Sequence, residues 1–287
     1  MAADTPVLPY SDIAKKPNDL LSRDFFHAAP ASVEVKTKAD NGVTFNVKGK
    51  SSPKDNSVSG SFDVRYSDPK SNIALTQSWS TANVVDVKVE LPEFIPKLKT
   101  DVKTSFVPTS GTTGFKVDLR YRQPLFTTFV FADIVNRFNF ISNFSFGKAG
   151  TVAGGQVAYD VKQGRVTNYA AAIGYNAPAY SIALTAAEKL TAVSAAYYHK
   201  ATPSVEVGGK ATWDWTSTQQ VNFEFATKYT IDTASSAKAK VNNAGVVALS
   251  YLLALHKGVK VGLGISVDTQ RLNEPAHKAG VQFTFEN

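Results

Sequence analysis

The sequence predicts an all-β chain closed into one wide antiparallel barrel of about 19 strands, with a short α-helix from its N-terminal segment inside the lumen. Three observations carry this. From Ala31 onward, apolar and polar residues alternate with period two. The 258 residues from 30 to 287 divide into about 19 such units, which gives about 13–14 residues for each strand and its turn. Residues 10–26, YSDIAKKPNDLLSRDFF, are the one long stretch in the first half that does not alternate. The chain therefore divides into an N-terminal segment, 1–29, and a strand wall, 30–287.

In the N-terminal stretch, Ser11 and Asp12 are placed to cap a helix start. Tyr10, Ile13, Leu20 and Leu21 then fall on one face at helical spacing, and charged residues take most of the remainder. Pro17 breaks or kinks this helix, or opens a second short one.

The strands follow. Val33, Val35 and Thr37 alternate with Glu34, Lys36 and Lys38. Asp40-Asn41-Gly42 reads as a hairpin, since Asn-Gly suits a type I′ turn. The pattern continues through Val43–Val47, Val58–Tyr66, Ile73–Trp79, Val85–Val89, Leu98–Phe106 and Phe115–Tyr121. Residues 125–135 are apolar on both faces, where Phe and Thr favour a strand over a helix. Alternation returns at Phe138 and persists to the last unit, about 276–286. Pro53, Pro69, Pro92, Pro108, Pro124, Pro178, Pro203 and Pro275 all fall between units, as ladder-breaking residues should.

Composition excludes several classes. There is no Cys, hence no disulfide, thiolate metal site or Cys nucleophile, and the four His are too scattered for a metal site. Residues 1–9 lack an apolar signal core, and Asp12, Asp19 and Asp24 are out of place in a cleaved organellar presequence. The run Val246–Leu255 is too short for a membrane helix, which needs about 20 residues. Hydropathy alone reads as soluble, but strands that are only half apolar give a membrane barrel the same reading. Two architectures fit the alternation: several soluble β-domains, or one barrel with lipid outside and water inside. About 19 strands in one barrel enclose a lumen too wide for side chains to fill, which favours the second. Trp79, Tyr121, Tyr175, Trp213 and Tyr229 near strand ends would form its interfacial girdle.

Two stretches carry a family resemblance. Tyr229–Tyr251, YTIDTASSAKAKVNNAGVVALSY, resembles the eukaryotic porin signature at Tyr229, Asp232, Lys240, Val241, Asn242, Asn243, Ala248 and Tyr251. The final strand, with Lys278, Gly280, Phe283 and Phe285, is similar to the sorting signal of mitochondrial outer-membrane barrels. The opening YSDIAKKPNDLLSRDFF resembles the N-terminal segment of the voltage-dependent anion channels, and SRDFFHAAP, NGVTFNVKGK and HKGVKVGLGISVD are most like their fungal members. That channel is itself the known 19-stranded exception among such barrels, so the strand count is not independent of the resemblance.

The resemblance implies a voltage-gated, weakly anion-selective pore of the mitochondrial outer membrane that passes small ions and metabolites such as ATP and ADP. It implies first and last strands paired in parallel and a helix folded against the inner wall. By position, Lys15 and Arg23 are the helix cations that meet nucleotides, and Ile13 is the helix anchor. A nicotinamide-nucleotide contact region maps to Val246, Val247, Ala248, Gly264 and Asp268, with Ala248 in place of a Gly. Two positions depart from animal members: Pro96-Lys97-Leu98-Lys99 stands at a Gly-Leu-Lys motif, and Gln77 at a lipid-facing Glu.

The implied partners are membrane lipids and small anions and nucleotides in transit, with no nucleic acid, no cofactor and no metal. A homo-oligomer and docking proteins from the cytosol or the outer membrane stay open as further partners. No enzyme constellation is apparent: Asp214 and Glu224 lie on different strands, and Gly154-Gly155 and Gly262-x-Gly264 precede no helix, so they read as close-packing glycines. The competing function classes are a docking or assembly platform, a protein-import pore of the same membrane, and a soluble multi-domain β-protein. Resistance to alkaline carbonate separates the last from the rest.

Overall fold

The computed structural model describes residues 7–52, 57–135, 138–216 and 220–287. Its strands are β1 (Ala31–Lys38), β2 (Thr44–Ser51), β3 (Val58–Asp68), β4 (Ile73–Ser80), β5 (Val85–Leu91), β6 (Leu98–Val107), β7 (Thr112–Arg122), β8 (Phe126–Asp133), β9 (Asn139–Lys148) and β10 (Thr151–Asp160). There follow β11 (Arg165–Asn176), β12 (Tyr180–Ala187), β13 (Ala192–Lys200), β14 (Val205–Asp214), β15 (Val221–Thr230), β16 (Ser235–Asn242), β17 (Val246–His256), β18 (Val259–Asp268) and β19 (Lys278–Glu286). Each pairs with its neighbours in chain order, and β1 closes on β19, so the 19-stranded sheet has no free edge. All pairings are antiparallel except the closing one, which runs parallel from Ala31 opposite Val281 to Lys36 opposite Glu286. The odd count forces this, because the first and nineteenth strands of an alternating series point the same way.

The N-terminal segment runs through the enclosed space. It forms a short 3-10 helix (Tyr10–Asp12), then α1 (Lys15–Ser22), then a second 3-10 helix (Phe26–Ala28). The first touches β9 and β10, α1 touches β13 to β15, and the last touches β17 to β19. So few residues can reach from β9 to β19 only across the interior.

Residues opposite one another in paired strands share a face, so these contacts assign inside and outside around the whole ring. On β1–β7 the inward face holds eleven Lys and Arg against six Asp and Glu. The outward face of the same strands is Val, Leu, Ile, Phe, Tyr, Trp, Thr, Ser, Ala, Gly and Gln, with Asp68 at a strand end as its one charge. Phe62, Leu75, Trp79, Phe106 and Leu119 stand exposed there. An apolar wall of this extent is tolerable only against lipid. Gln77 lies on it, between Val64 and Val87. The inward face of β9–β13 differs from that of β1–β7: it is mostly Ala, Gly, Ser and Asn, with Asp160, Arg165 and Lys200 at strand ends.

Three local expectations change. Ser11 and Asp12 do not cap α1: its N-cap is Ala14, with no side-chain cap bond. Pro17 neither kinks the helix nor begins it, but is its third residue. The first four amides of a helix have no intrahelical acceptor, so a missing N–H in the first turn costs nothing. The first hairpin is not type I′ either. Only Gly42 is left-handed (φ 82°) and Ala39 N–H donates to Val43 O at 2.8 Å, as in a three-residue loop closed by a left-handed glycine. Pro53 lies outside the described residues; the other seven prolines sit between strands as expected.

Candidate functional site

α1 has eight residues, no side-chain N-cap bond, no acid in its first turn and no base in its last. Such a helix is marginal by itself, so its order comes from the wall. Ile13 is 0% exposed and packs with Val7, Val152, Ala172 and Ala183, with Tyr10 and Ala14 beside it. Leu20 and Leu21, each 3% exposed, pack on Ala226 with Tyr198 alongside. Burying each of these three side chains contributes about 1.5–3 kcal/mol. Small inward residues let the segment approach: Ala172 and Ala183 of the uncharged stretch take Ile13, and Gly208 and Ala226, set among the charges of β14 and β15, take Leu20 and Leu21.

Polar contacts fix the register. Thr127 Oγ1 donates to Val7 O at 2.7 Å and Ser145 Oγ to Leu8 O at 2.8 Å. Lys16 Nζ donates to Ala177 O at 2.7 Å, which makes it a tether rather than a free lumenal cation. Lys210 reaches Asn18 Oδ1 at 3.4 Å. Lys238 Nζ donates to Arg23 O at 3.0 Å and lies 3.3 Å from Asp24 Oδ2. Asp24 adopts φ 59°, ending α1 in the left-handed conformation that Asp tolerates.

Beyond Asp24, Phe26–Ala28 lies in a seat floored by glycine. A Cβ on Gly264 would fall 2.6 Å from His27 N and 2.8 Å from Phe26 N, and one on Gly262 would fall 2.5 Å from the Phe26 ring. A Cβ on Gly280 would run into the carbonyls of Phe26 and Ala29. Burial holds the His27 imidazole below its ordinary pKa, and the charges of Lys240 and Lys278 push the same way. Its Nδ1 is buried without a hydrogen-bond partner among the described residues.

The sequence-derived residues fall as follows. Lys15 and Arg23 turn to the lumen, 54% and 66% exposed, each beside a carboxylate of its own segment: Asp12 at 3.8 Å and Asp19 at 3.3 Å. Val246, Ala248, Gly264 and Asp268 face inward, but Val247, opposite Val241 and Val267, faces outward and cannot share their ligand through its side chain. Ala248 is 2% exposed, Gly264 lies under Phe26 and His27, and Asp268 accepts from Arg271 Nε at 2.9 Å. On β19, Gly280 faces inward while Phe283 and Phe285, opposite Val33 and Val35, face outward and Lys278 stands at the strand start. The polar residues of the signature stretch build turns. Asp232 Oδ1 accepts from Ala234 N at 2.7 Å and Ser235 N at 2.6 Å, and Asn242 Oδ1 from Val246 N at 2.9 Å. Sequence reasoning read Lys238 as one of the solvated lumenal lysines and assigned no docking contact to Lys16, Lys238 or Phe26, because nothing local to these residues shows what lies across the lumen.

A family model described as eukaryotic porin matches residues 7–280. The chain belongs to the eukaryotic porin family. This porin is 42% identical to the "Mitochondrial outer membrane protein porin" of Neurospora crassa, over 97% of this chain and 98% of that one. It is 43% identical to the protein of the same name from Candida albicans, over 96% of this chain and 98% of that one. With the "Non-selective voltage-gated ion channel 1" of Saccharomyces cerevisiae it shares 35% identity, over 96% of this chain and 98% of the relative. A porin of this fold is a channel-type protein, and its helix, lining one side of the lumen, narrows the path through it.

Proposed function

We propose that this porin is a voltage-gated, weakly anion-selective diffusion pore of the mitochondrial outer membrane, passing small ions and metabolites such as ATP and ADP. The names of the fungal relatives support the pore, its voltage response and its membrane. The inward face of β1–β7, with eleven basic and six acidic residues, supports the anion preference. Lys15 and Arg23 add to it where the helix narrows the lumen, with Ile13 holding that helix to the wall. A nicotinamide nucleotide reaches Gly264 only when Phe26 and His27 leave their seat over it.

The preference is modest. Screening acts over ~8 Å at about 0.15 M salt, and two charges 4 Å apart in bulk water interact by only about 1 kcal/mol. Most permeating ions stay further from the wall than that, so the expected anion preference is about few-fold and declines as salt rises. The test is the reversal potential of refolded protein in a planar bilayer under a KCl gradient. Lys15→Glu with Arg23→Glu replaces two cations by two anions at the narrowing and should weaken or invert the preference. A cation-preferring wild-type pore would overturn the proposal, and identical potentials in wild type and variant would place the helix outside the conducting path.

A further inference from the structure

The apolar outer face of the wall does not stop at the end of β5. That strand leaves the face at Leu91 and β6 rejoins it at Leu98, both turned outward. The loop between them, 92–97, presents Phe94 and Ile95, 76% and 56% exposed, and Leu125 stands exposed on the neighbouring β7–β8 hairpin at the same rim. Single exposed apolar residues are ordinary on a protein surface. These are held in place. Pro92 and Pro96 bracket the pair and restrict the backbone on either side of it. Lys97 N–H donates to Glu93 Oε2 at 3.2 Å and Leu98 N–H to Ile95 O at 3.0 Å. The foot of the loop is fastened to the next hairpin, with Lys97 Nζ donating to Gln123 Oε1 at 3.2 Å and Arg122 N–H to Lys97 O at 3.2 Å. Two large apolar side chains are thus kept out in the surroundings by a loop tied to its neighbour.

What adjoins this platform identifies its cover. Gln123, which holds Lys97, also donates through Nε2 to the Tyr121 hydroxyl. Tyr121 opens a row of outward rings: Phe126 lies 5.8 Å from it, Phe146 6.3 Å from Phe126, and Phe144 6.2 Å from Phe146. Rings at strand ends on a lipid-facing wall sit at the level of the headgroups. The loop rises from that level, continuous with a face that lipid covers. Two exposed lysines accompany it: Lys97 in the loop, and Lys148 on the outward side of β9, two residues beyond Phe146. Lysine stems lie along apolar surface while their ammonium groups reach phosphate. Glu93 is the one carboxylate of the loop, and it accepts from the Lys97 amide. We infer that Phe94, Ile95 and Leu125 form a membrane-surface anchor, immersed in the interfacial layer of the phospholipid leaflet on that side. The inference rests on the lipid-facing wall and not on the proposed voltage response or ion preference.

The experiment reads native side chains. Porin carrying 13C-labelled isoleucine δ1 methyls is placed in phosphatidylcholine nanodiscs and exposed in turn to three broadening agents: a lipid with a nitroxide on its headgroup, a lipid with a nitroxide at the end of an acyl chain, and a water-soluble gadolinium chelate. Ile173 and Ile265, outward and exposed on the wall, report lipid contact, and the fully buried Ile13 is the protected reference. Ile95 should broaden most with the headgroup nitroxide. Phe94→Ser removes half of the apolar pair while leaving the backbone ties of the loop in place, and should shift Ile95 toward broadening by the chelate. A wild-type Ile95 broadened chiefly by the chelate would leave the loop in water and overturn the anchor. Protection of Ile95 from all three agents would mean that a second copy or another part of the protein covers it, and would overturn the anchor equally. So would an Ile95 response in Phe94→Ser that matches the wild type. Silence of Ile173 and Ile265 toward both nitroxide lipids would overturn the lipid-facing wall, and the anchor with it.

Discussion

His27 shows how a single side chain couples the N-terminal segment to solution conditions. It sits between the Phe25 ring, 6.1 Å away, and the charges of Lys240 and Lys278, with an unpartnered buried Nδ1. Burial, and after it the two like charges, disfavour the imidazolium, so the seated group binds its proton less readily than a free histidine, whose pKa is about 6.5. An undocked segment therefore takes up more protons on acidification than a seated one. The seated state has its full stability above the ordinary histidine pKa and loses stability as pH falls below that value, toward the lower pKa of the seated group. Amide hydrogen exchange at residues 26–29, corrected for the intrinsic pH dependence, should accelerate between about pH 7.5 and 5.5. His27→Gln should remove that dependence while leaving exchange in β18 and β19 as it was. Protection at 26–29 that ignores pH in the wild type would mean that the imidazole is not held where it titrates.

At the scale of elements, the strands were legible and the N-terminal segment only in part. Alternation locates β1–β7 because the two sides of the wall meet different solvents, and that contrast is written into every second residue. β8 broke the pattern because Phe129 and Phe131 face inward beneath Arg120 and Lys116, a relation between strands that no window along β8 contains. The apolar face of Tyr10, Ile13, Leu20 and Leu21 was readable from helical spacing, but its partners Ala172, Ala183 and Ala226 lie more than 150 residues away in sequence. The glycine seat was legible only in part for the same reason: Gly262 and Gly264 read as close-packing glycines, but nothing along the strand shows that Phe26 is what packs on them. This seat makes a sharp prediction. Gly264→Ala puts a methyl against backbone atoms of Phe26 and His27, which have no rotamer with which to yield, so Phe26–Ala28 must lift. The variant should still insert, while exchange at 26–29 rises at neutral pH and single-channel current becomes noisier. Gly49→Ala, in β2 with nothing within 4 Å of the new methyl, is the matched control. Equal behaviour of the two variants would show that the seat does not hold the segment.

The whole molecule depends on one seam. Parallel pairing is slightly weaker per residue than antiparallel pairing, and β1 meets β19 over a short run from Ala31 to Lys36. Glu286 braces it from the lumenal side, 3.2 Å from Lys36 on β1 and 2.9 Å from Lys260 on β18. On the outer side Phe283 stands beside Val33 and Val261, and Phe285 beside Val35 and Val259, so lipid and barrel closure act on the same two rings. Phe283→Asp with Phe285→Asp sets two carboxylates against lipid, at roughly 1–4 kcal/mol each depending on depth. It also strips the apolar pairs from the weakest joint in the ring. Carbonate-resistant assembly should therefore be lost. Gln282→Asp introduces the same carboxylate one residue away, but Gln282 faces inward opposite Ser32, where water solvates it. That variant should assemble normally. The contrast tests the orientation of the wall itself, because period two makes adjacent residues of β19 answer to different solvents. Normal assembly of the double variant, or failure of Gln282→Asp in its place, would mean that inside and outside have been assigned the wrong way round.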